Sequence, residues 1–368
     1  MSLYLGLMSG TSMDGIDVAI IDSEKNQLIN GATYNYEDEV YSLLEHVLKN
    51  EMVTVAEICQ LNVLIGRNFA KSALRLIEQS QLAPSDIRAI GSHGQTICHA
   101  PLAKIPYTLQ LGCAHTIAAI TGITVVADFR ARDLVHGGQG APLAPLYHRE
   151  LFTNRKENIG VVNIGGIANL TVLVQGKPAR GWDTGPGNCL MDAWIAKHLH
   201  KKFDVDGAWA AQGKILGQLL QYNLCDPFIQ SSVPKSIGKE YFSLTWLEQQ
   251  LTEDYQPEDV QRTLLEFTAQ TIVNNVNLVT PKLQKLYICG GGVHNKLLLN
   301  RLADLLPECH VESIASLGVS PDYLEAMLFA WLAAQTMSRK LIDLSSITGS
   351  NQLMVLGAIF PAGAVNKR

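Results

Sequence analysis

"LMSGTSMDG", residues 7–15, interrupts an apolar run close to the start of the chain. Leu3-Tyr4-Leu5-Gly6-Leu7 leads into it, and Ile16-Asp17-Val18-Ala19-Ile20-Ile21 leads out. Two such segments separated by Gly, hydroxyl and acidic residues read as two strands joined by a turn. Asp22-Ser-Glu-Lys-Asn then turns into a third strand over 27–36, and helical pattern runs from about 39 to 82. The first turn is either a plain hairpin reversal or an anion clamp. Gly10 and Gly15 let backbone N–H groups approach a ligand, and Thr11 and Ser12 add donors. It is not a Walker A loop, because no Gly-Lys-Ser/Thr follows, nor a Rossmann fingerprint or a nucleophile elbow, because the spacing is wrong.

The same order recurs about 150 residues later. Ile159–Ile164 reads as a strand, Gly165-Gly166 as a turn and Ile167–Val174 as a second strand. Gln175-Gly-Lys-Pro leads to a short strand, then to Gly181-Trp-Asp-Thr-Gly-Pro-Gly187 and a helix from about 188 to 201. A third glycine turn, Gly290-Gly-Gly-Val-His-Asn295, follows the strand Leu286–Cys289 and opens a helix. Two copies of strand, glycine turn, strand, strand and helix point to duplicated lobes. Hairpins are common, but here both turns keep polar side chains beside Gly and both open a lobe-sized segment. The boundary is expected near 128–142, where Gly and charge concentrate. Lobe 1 is then 1–130 with a C-terminal segment from about 340 to 368, and lobe 2 is 131–339.

Composition narrows the class. The chain has 368 residues, 47% hydrophobic and 17% charged, with a net charge of −5, which fits a globular protein of two lobes. Scattered Lys and Arg give no nucleic-acid surface. No apolar stretch reaches the roughly 18 residues of a membrane span, and no basic segment followed by an apolar core opens the chain. Seven Cys without short paired spacing read as reduced core residues of a cytoplasmic protein. His198 and His200 sit two apart, which on a helix does not place them together as metal ligands. Met327-Leu-Phe-Ala-Trp-Leu recurs at helical spacing and reads as core between the lobes.

Three glycine turns, one opening each lobe and one at a later strand-to-helix junction, match the arrangement of the actin, Hsp70 and sugar-kinase superfamily. The fold expected is α/β, a two-lobe actin/Hsp70/sugar-kinase (ribonuclease H-like) fold with duplicated mixed sheets and a central cleft. "GLMSGTSMDGIDVA" (6–19), "GSHGQT" (91–96), "DFRARDLVHGGQGAPLAP" (128–145), "VNIGGIANLT" (162–171), "GWDTGPGNCLMD" (181–192) and "CGGGVHN" (289–295) together resemble the anhydro-N-acetylmuramic acid kinase family from end to end. The resemblance implies a kinase that uses ATP, Mg²⁺ and water on 1,6-anhydro-N-acetylmuramic acid. It would open the anhydro bridge and give N-acetylmuramic acid 6-phosphate in recycling of the bacterial cell wall. It also implies a homodimer whose other partners are small molecules.

Read on its residues, Asp183 precedes Thr184-Gly-Pro-Gly187 and sits where a loop enters a helix, as a general base or as an N-cap. The resemblance places the family's catalytic aspartate on this motif. The positive end of the helix is expected to lower its pKa and keep it ionised. On the nucleotide side the expected residues are Gly10, Thr11, Ser12, Met13, Asp14, Gly15, Ile16 and Asp17 in the first segment, and Asn163, Gly165, Gly166 and Asn169 in the second. Gly290, Gly291, Gly292 and Asn295 complete the set. Asp14 either shapes its turn or helps to hold the metal. Asp17 is an exposed edge position or a nucleotide contact. Arg130 offers a guanidinium fork for the lactyl carboxylate of the sugar, whereas Arg132 reads equally as a hinge ion pair with Asp128 or Asp133. Ser92 and His93, at the end of an apolar strand, and Glu325, on the first turn of a late helix, are the remaining sugar contacts that the resemblance implies. Alone, His93 is a structural histidine and Glu325 an ordinary helix-start acid.

Three rivals remain at this level. A plain hexose or acetate-type kinase would use Asp183 on a substrate hydroxyl, and a nucleotide-driven binding module would need a further extension. A hydrolase using Ser9 or Ser12 with His93 would need no ATP.

Overall fold

A computed structural model describes residues 1–10, 15–49, 52–153, 156–238, 241–251 and 253–363. The chain forms two compact units, Met1–Tyr147 with the chain from Tyr323 onward, and His148–Asp322.

In the first unit, strands β1 (Leu3–Ser9), β2 (Ile16–Asp22), β3 (Gln27–Tyr34), β4 (Ile87–Ala100), β5 (Tyr107–Leu111) and β6 (Val125–Ala127) build one mixed sheet. Its order is β3-β2-β1-β4-β6, with the C-terminal strand Ala358–Phe360 beyond β6 and β5 folded back on β4. β1 pairs antiparallel with β2 and parallel with β4. Every residue of β1 is buried, as expected of a central strand covered on both faces. One cover is the helix Leu324–Met337, apolar nearly all round and buried through most of its length. It lies directly on the strands because two glycines face it. Gly6 of β1 and Gly91 of β4 are register partners, and a Cβ on either would fall 1.7 Å from the Ala326 carbonyl oxygen or 1.9 Å from that of Phe329. The core residues expected at 327–332 therefore pack on this unit's own sheet. The helical stretch from 39 to 82 divides into Asp38–Lys49 and Val55–Gln79. Thr54 and Glu57 form a reciprocal capping box that starts the second helix.

The second unit repeats the plan with β7 (Ile159–Ile164), β8 (Ile167–Leu173), β9 (Arg180–Pro186), β10 (Lys285–Cys289) and β11 (His310–Ser313). Their order is β11-β10-β7-β8-β9. β7-β8-β9 is antiparallel throughout, and β10 and β11 run parallel to β7. The helix Pro257–Asn277 is fastened to β9 and to the residue that follows it. Trp182 Nε1 donates to Asn275 Oδ1 at 2.8 Å, and Thr268 Oγ1 donates to the Gly187 carbonyl at 2.9 Å.

None of the seven cysteines is in a disulfide, but they are not uniformly core residues. Only Cys289 is buried, and Cys59 and Cys225 are exposed. His198 packs at a tilt on Trp194, ring centroids 4.1 Å apart, while His200 ends its helix in the left-handed region. No helix among the described residues is long and apolar enough to cross a membrane.

Candidate functional site

Strand register assembles the polar face of the second unit. Asn163 on β7 pairs with Asn169 on β8, which pairs in turn with Asp183 on β9. Residues opposite one another on adjacent strands share a face, so the three form one row. Each is partly exposed, in strands that are otherwise mostly buried. Asp183 thus stands on a strand, not in a loop entering a helix; the helix begins at Cys189.

The Asp183 carboxyl is held through one oxygen. Oδ2 accepts the Ile237 N–H at 2.8 Å and the Ser236 hydroxyl at 3.1 Å. The Asp183 N–H donates to the Lys235 carbonyl at 2.9 Å, so segment 235–237 lies along this residue. Oδ1 has no partner among the described residues. Burial pushes the pKa up to about 6, against the lowering effect of the two donors. The expected depression by a helix terminus is overturned, since Asp183 is three residues before Pro186, the end of β9, and desolvation dominates. Ser236 and Ile237 were not legible as partners. They lie 53 and 54 residues along the chain, in a stretch with no motif.

The second and third glycine turns meet. The Gly165 carbonyl accepts from Asn188 N–H at 2.8 Å, and the Gly166 carbonyl from Gly187 and Cys189. These acceptors are spent on the start of the following helix, and among the described residues the N–H groups of the turn are the donors left for a ligand. Gly290, at φ +75°, has no room for a side chain, because a Cβ would fall 2.2 Å from Asn163 Oδ1. Gly292 meets Ile164 in the same way, and a Cβ on Gly291 would lie 3.7 Å from Asn188 Nδ2. Asn163, Gly165, Gly166, Gly290, Gly291 and Gly292 are therefore neighbours, with Asn188 among them. Asn295 caps the next helix through the Leu298 N–H at 3.1 Å.

In the first unit, Thr11, Ser12, Met13 and Asp14 lie outside the described residues. The two ends of their turn are fixed. Ser9 Oγ donates to the Gly15 carbonyl at 2.9 Å, and Gln95 Nε2 donates to the Gly10 carbonyl at 3.2 Å. Ile16 is fully buried. Asp17 is not an edge residue, because β2 runs between β1 and β3; its Oδ1 accepts the Thr33 hydroxyl at 2.6 Å.

Arg130 is the centre of this unit's second polar cluster. Its Nε donates to His93 Nε2 at 2.9 Å and its Nη1 to the Gly140 carbonyl at 2.8 Å. His93 sits within β4, which continues past it to Ala100, so it is not in a strand-end loop. Its Nδ1 lies 3.0 Å from the Gly94 carbonyl, and its ring packs on Phe329 at 4.6 Å. With Nδ1 donating and Nε2 accepting, the imidazole is the neutral tautomer. Burial, and then the Arg130 charge, hold its pKa well below the usual range. Burial pulls the Arg130 pKa down to about 10, with Glu325 and Asp133 opposing, so the guanidinium stays charged at neutral pH. Nη2 has no partner among the described residues. Ser92 Oγ is buried and likewise unpartnered among them. Arg132 forms neither expected ion pair; its Nη1 donates to the Val355 carbonyl at 2.7 Å.

Two α/β units with one strand order, each opened by an antiparallel hairpin, define a protein of the actin/Hsp70/sugar-kinase type. The family profile described as anhydro-N-acetylmuramic acid kinase matches residues 2–362. A protein named anhydro-N-acetylmuramic acid kinase from Legionella pneumophila (strain Corby) is 56% identical, over 98% of this chain and 99% of its own length. One of the same name from Xylella fastidiosa (strain Temecula1 / ATCC 700964) is 48% identical, over 98% and 96%. Among solved structures, component A of the Acidaminococcus fermentans (R)-2-hydroxyglutaryl-CoA dehydratase has a TM-score of 0.49 at 12% identity, over 91% of this chain and 99% of that one. The chain belongs to the anhydro-N-acetylmuramic acid kinase family.

Proposed function

We propose that this kinase opens 1,6-anhydro-N-acetylmuramic acid with water and transfers the γ-phosphoryl group of ATP to O6, giving N-acetylmuramic acid 6-phosphate in cell-wall recycling. The observation that carries the mechanism is Asp183, with one carboxyl oxygen anchored, the other open and a pKa near 6. A base poised close to working pH is ionised in most molecules yet still binds a proton well. In the proposed step Asp183 Oδ1 takes a proton from water while the water oxygen bonds to the anomeric carbon. The C1–O6 bond breaks, O6 bonds to the γ-phosphorus and ADP leaves. The anomeric centre passes through an oxocarbenium-like state.

Charge and donors are assigned to the parts that fit them. The turns at Gly165-Gly166 and Gly291-Gly292 offer backbone N–H groups for phosphate and nucleotide, with Asn163 and Asn169 beside them, while the Gly290 N–H is held by the Pro321 carbonyl at 3.1 Å. The first turn, from Gly10 through Thr11, Ser12, Met13 and Asp14 to Gly15, has the same task. Mg²⁺ accompanies ATP and lowers the charge on the phosphates. Asp17, a hard oxygen donor steadied by Thr33, and Asp14 are the carboxylates suited to it. Arg130 takes the lactyl carboxylate with its remaining donors. Ser92 and Glu325 contact the sugar, and His93 acts through Arg130. The protein works in the cytoplasm as a homodimer.

The test is ADP release with purified enzyme. ADP and a sugar 6-phosphate are expected to form together from ATP and 1,6-anhydro-N-acetylmuramic acid, and neither forms without the sugar. Equal ADP release with the ring-opened N-acetylmuramic acid overturns the bridge-opening reading.

A further inference from the structure

The buried carboxylate of Asp133 has no part in the chemistry above, yet it lies one helical turn after Arg130 and is fully buried. Its Oδ2 accepts the Gly140 N–H at 2.6 Å, and its Oδ1 accepts the Thr348 hydroxyl at 2.9 Å. The Gly138 N–H donates to its backbone carbonyl at 2.9 Å. The loop closes so tightly on the carboxylate that a Cβ on Gly138 would fall 2.3 Å from Oδ2. The loop is also tied to the C-terminal segment, Gln139 N–H donating to the Thr348 carbonyl and Asn351 N–H to that of His136.

Gly140 links the two charged residues. Its N–H goes to Asp133 and its carbonyl receives Arg130 Nη1. It does this at φ +71°, a conformation that favours glycine, and a Cβ there would fall 2.3 Å from Leu134 Cδ1. A carbonyl on a surface loop samples many directions, and a guanidinium hydrogen-bonded to it moves with it. Fixed from behind by a buried carboxylate, Gly140 gives Arg130 one orientation, with Nε on His93, Nη1 on Gly140 and Nη2 open.

We infer that Asp133 is a positioning residue for sugar binding: through Gly140 it aims the free donors of Arg130 at the carboxylate of the substrate. The inference rests on the proposed role of Arg130. Fork geometry is what separates bidentate carboxylate recognition from a bare charge, so losing the aim costs affinity for the carboxylate-bearing sugar and little else. Asp133→Asn keeps the shape but replaces one acceptor oxygen by a donor, breaking the bond to Gly140 or the one from Thr348.

The test compares two ligands on the full-length enzyme: 1,6-anhydro-N-acetylmuramic acid as substrate, and 1,6-anhydro-N-acetylglucosamine, which lacks the lactyl carboxylate, as competitive ligand. Asp133→Asn is expected to raise KM for the first about tenfold. The inhibition constant of the second and KM for ATP stay within about twofold. Thr348→Val, which removes one donor and keeps the carboxylate, gives a smaller shift in the same direction and carries the test if Asp133→Asn does not fold. A merely structural role moves both sugars together, and that result, or no shift in either variant, overturns the inference. Arg130→Met separates the two claims. If it leaves the difference between the sugars unchanged, the reading of Arg130 itself fails; if it abolishes the difference while Asp133→Asn does not, only the role of Asp133 fails.

Discussion

The two sheets share a strand order and even a row, but not a chemistry. In the first unit a row close to the hairpin turn is Met8–Asp17–Thr33; in the second it is Asn163–Asn169–Asp183, one pair in from the turn. The first row holds its acid on the middle strand, bonded by its own neighbour Thr33. The second holds its acid on the outer strand, where an inserted segment reaches it through Ser236 and Ile237. Duplication accounts for the scaffold, and what packs against the end of each row accounts for function. The buried charges differ in the same way. Arg130 is met by His93, Gly140, Glu325 and Asp133 and stays charged at neutral pH. Asp183 has two donors on one oxygen, and its pKa rises to about 6. A group that binds an anion must not titrate, whereas a group that accepts a proton must.

The sharpest way to break this contrast is Asp183→Asn. Loss of a general base is expected to lower kcat by about 10²- to 10⁴-fold with KM for ATP little changed; retention of near-normal turnover removes Asp183 from the mechanism. Arg130→Lys keeps the charge and loses the fork, so KM for the sugar is expected to rise about 10- to 100-fold while kcat falls less. Substitution of one glycine in each sheet, Gly6 in β1 and Gly160 in β7, separates the sheets by packing. Gly6→Ala meets a backbone carbonyl 1.7 Å away and is expected to cost about 3 kcal/mol or more. Gly160→Ala meets side-chain tips, those of Leu286, Leu283 and Leu170, and no backbone, and should cost about 1–2 kcal/mol by chemical denaturation.

Titration gives the smallest and most specific effects. The acid limb of kcat/KM should fall tenfold per pH unit below about 6, as Asp183 takes up its proton. Ser236→Ala removes a donor that favours the charged form, so the limb should move to higher pH; an unmoved limb contradicts the assignment. Stability follows with the opposite sign. The folded-state pKa lies above the usual 3.8, so the folded chain holds this proton more tightly and loses stability as pH rises from about 4 through about 6. Asp183→Asn should therefore stabilise the protein by about 1–3 kcal/mol at neutral pH, and not below pH 4.

Local patterns were legible in the sequence. The spacing of apolar runs located β1, β2, β7 and β8 to within about a residue, because each strand is buried and bounded by turn residues. Asp183, Arg130 and the glycine turns stood out as motifs. What escaped was set by distance along the chain. Ser236 and Ile237 reach Asp183 across an insertion, and Thr348 reaches Asp133 across 215 residues. Burial escaped too. The same Asp183 that a helix start would have kept acidic lies on a strand, where desolvation reverses the shift. His93 looked like the end of a short strand because the apolar run stops at Gly91, yet β4 continues to Ala100 and accommodates Gly94 at φ +80°.

Isotope tracing tests the central claim most directly. With the enzyme turning over ATP and 1,6-anhydro-N-acetylmuramic acid in ¹⁸O water, mass spectrometry of the product should find one label on the C1 hydroxyl and none in the phosphate. Label in the phosphate, or an unlabelled C1, would mean that water does not open the bridge and that Asp183 is not its base.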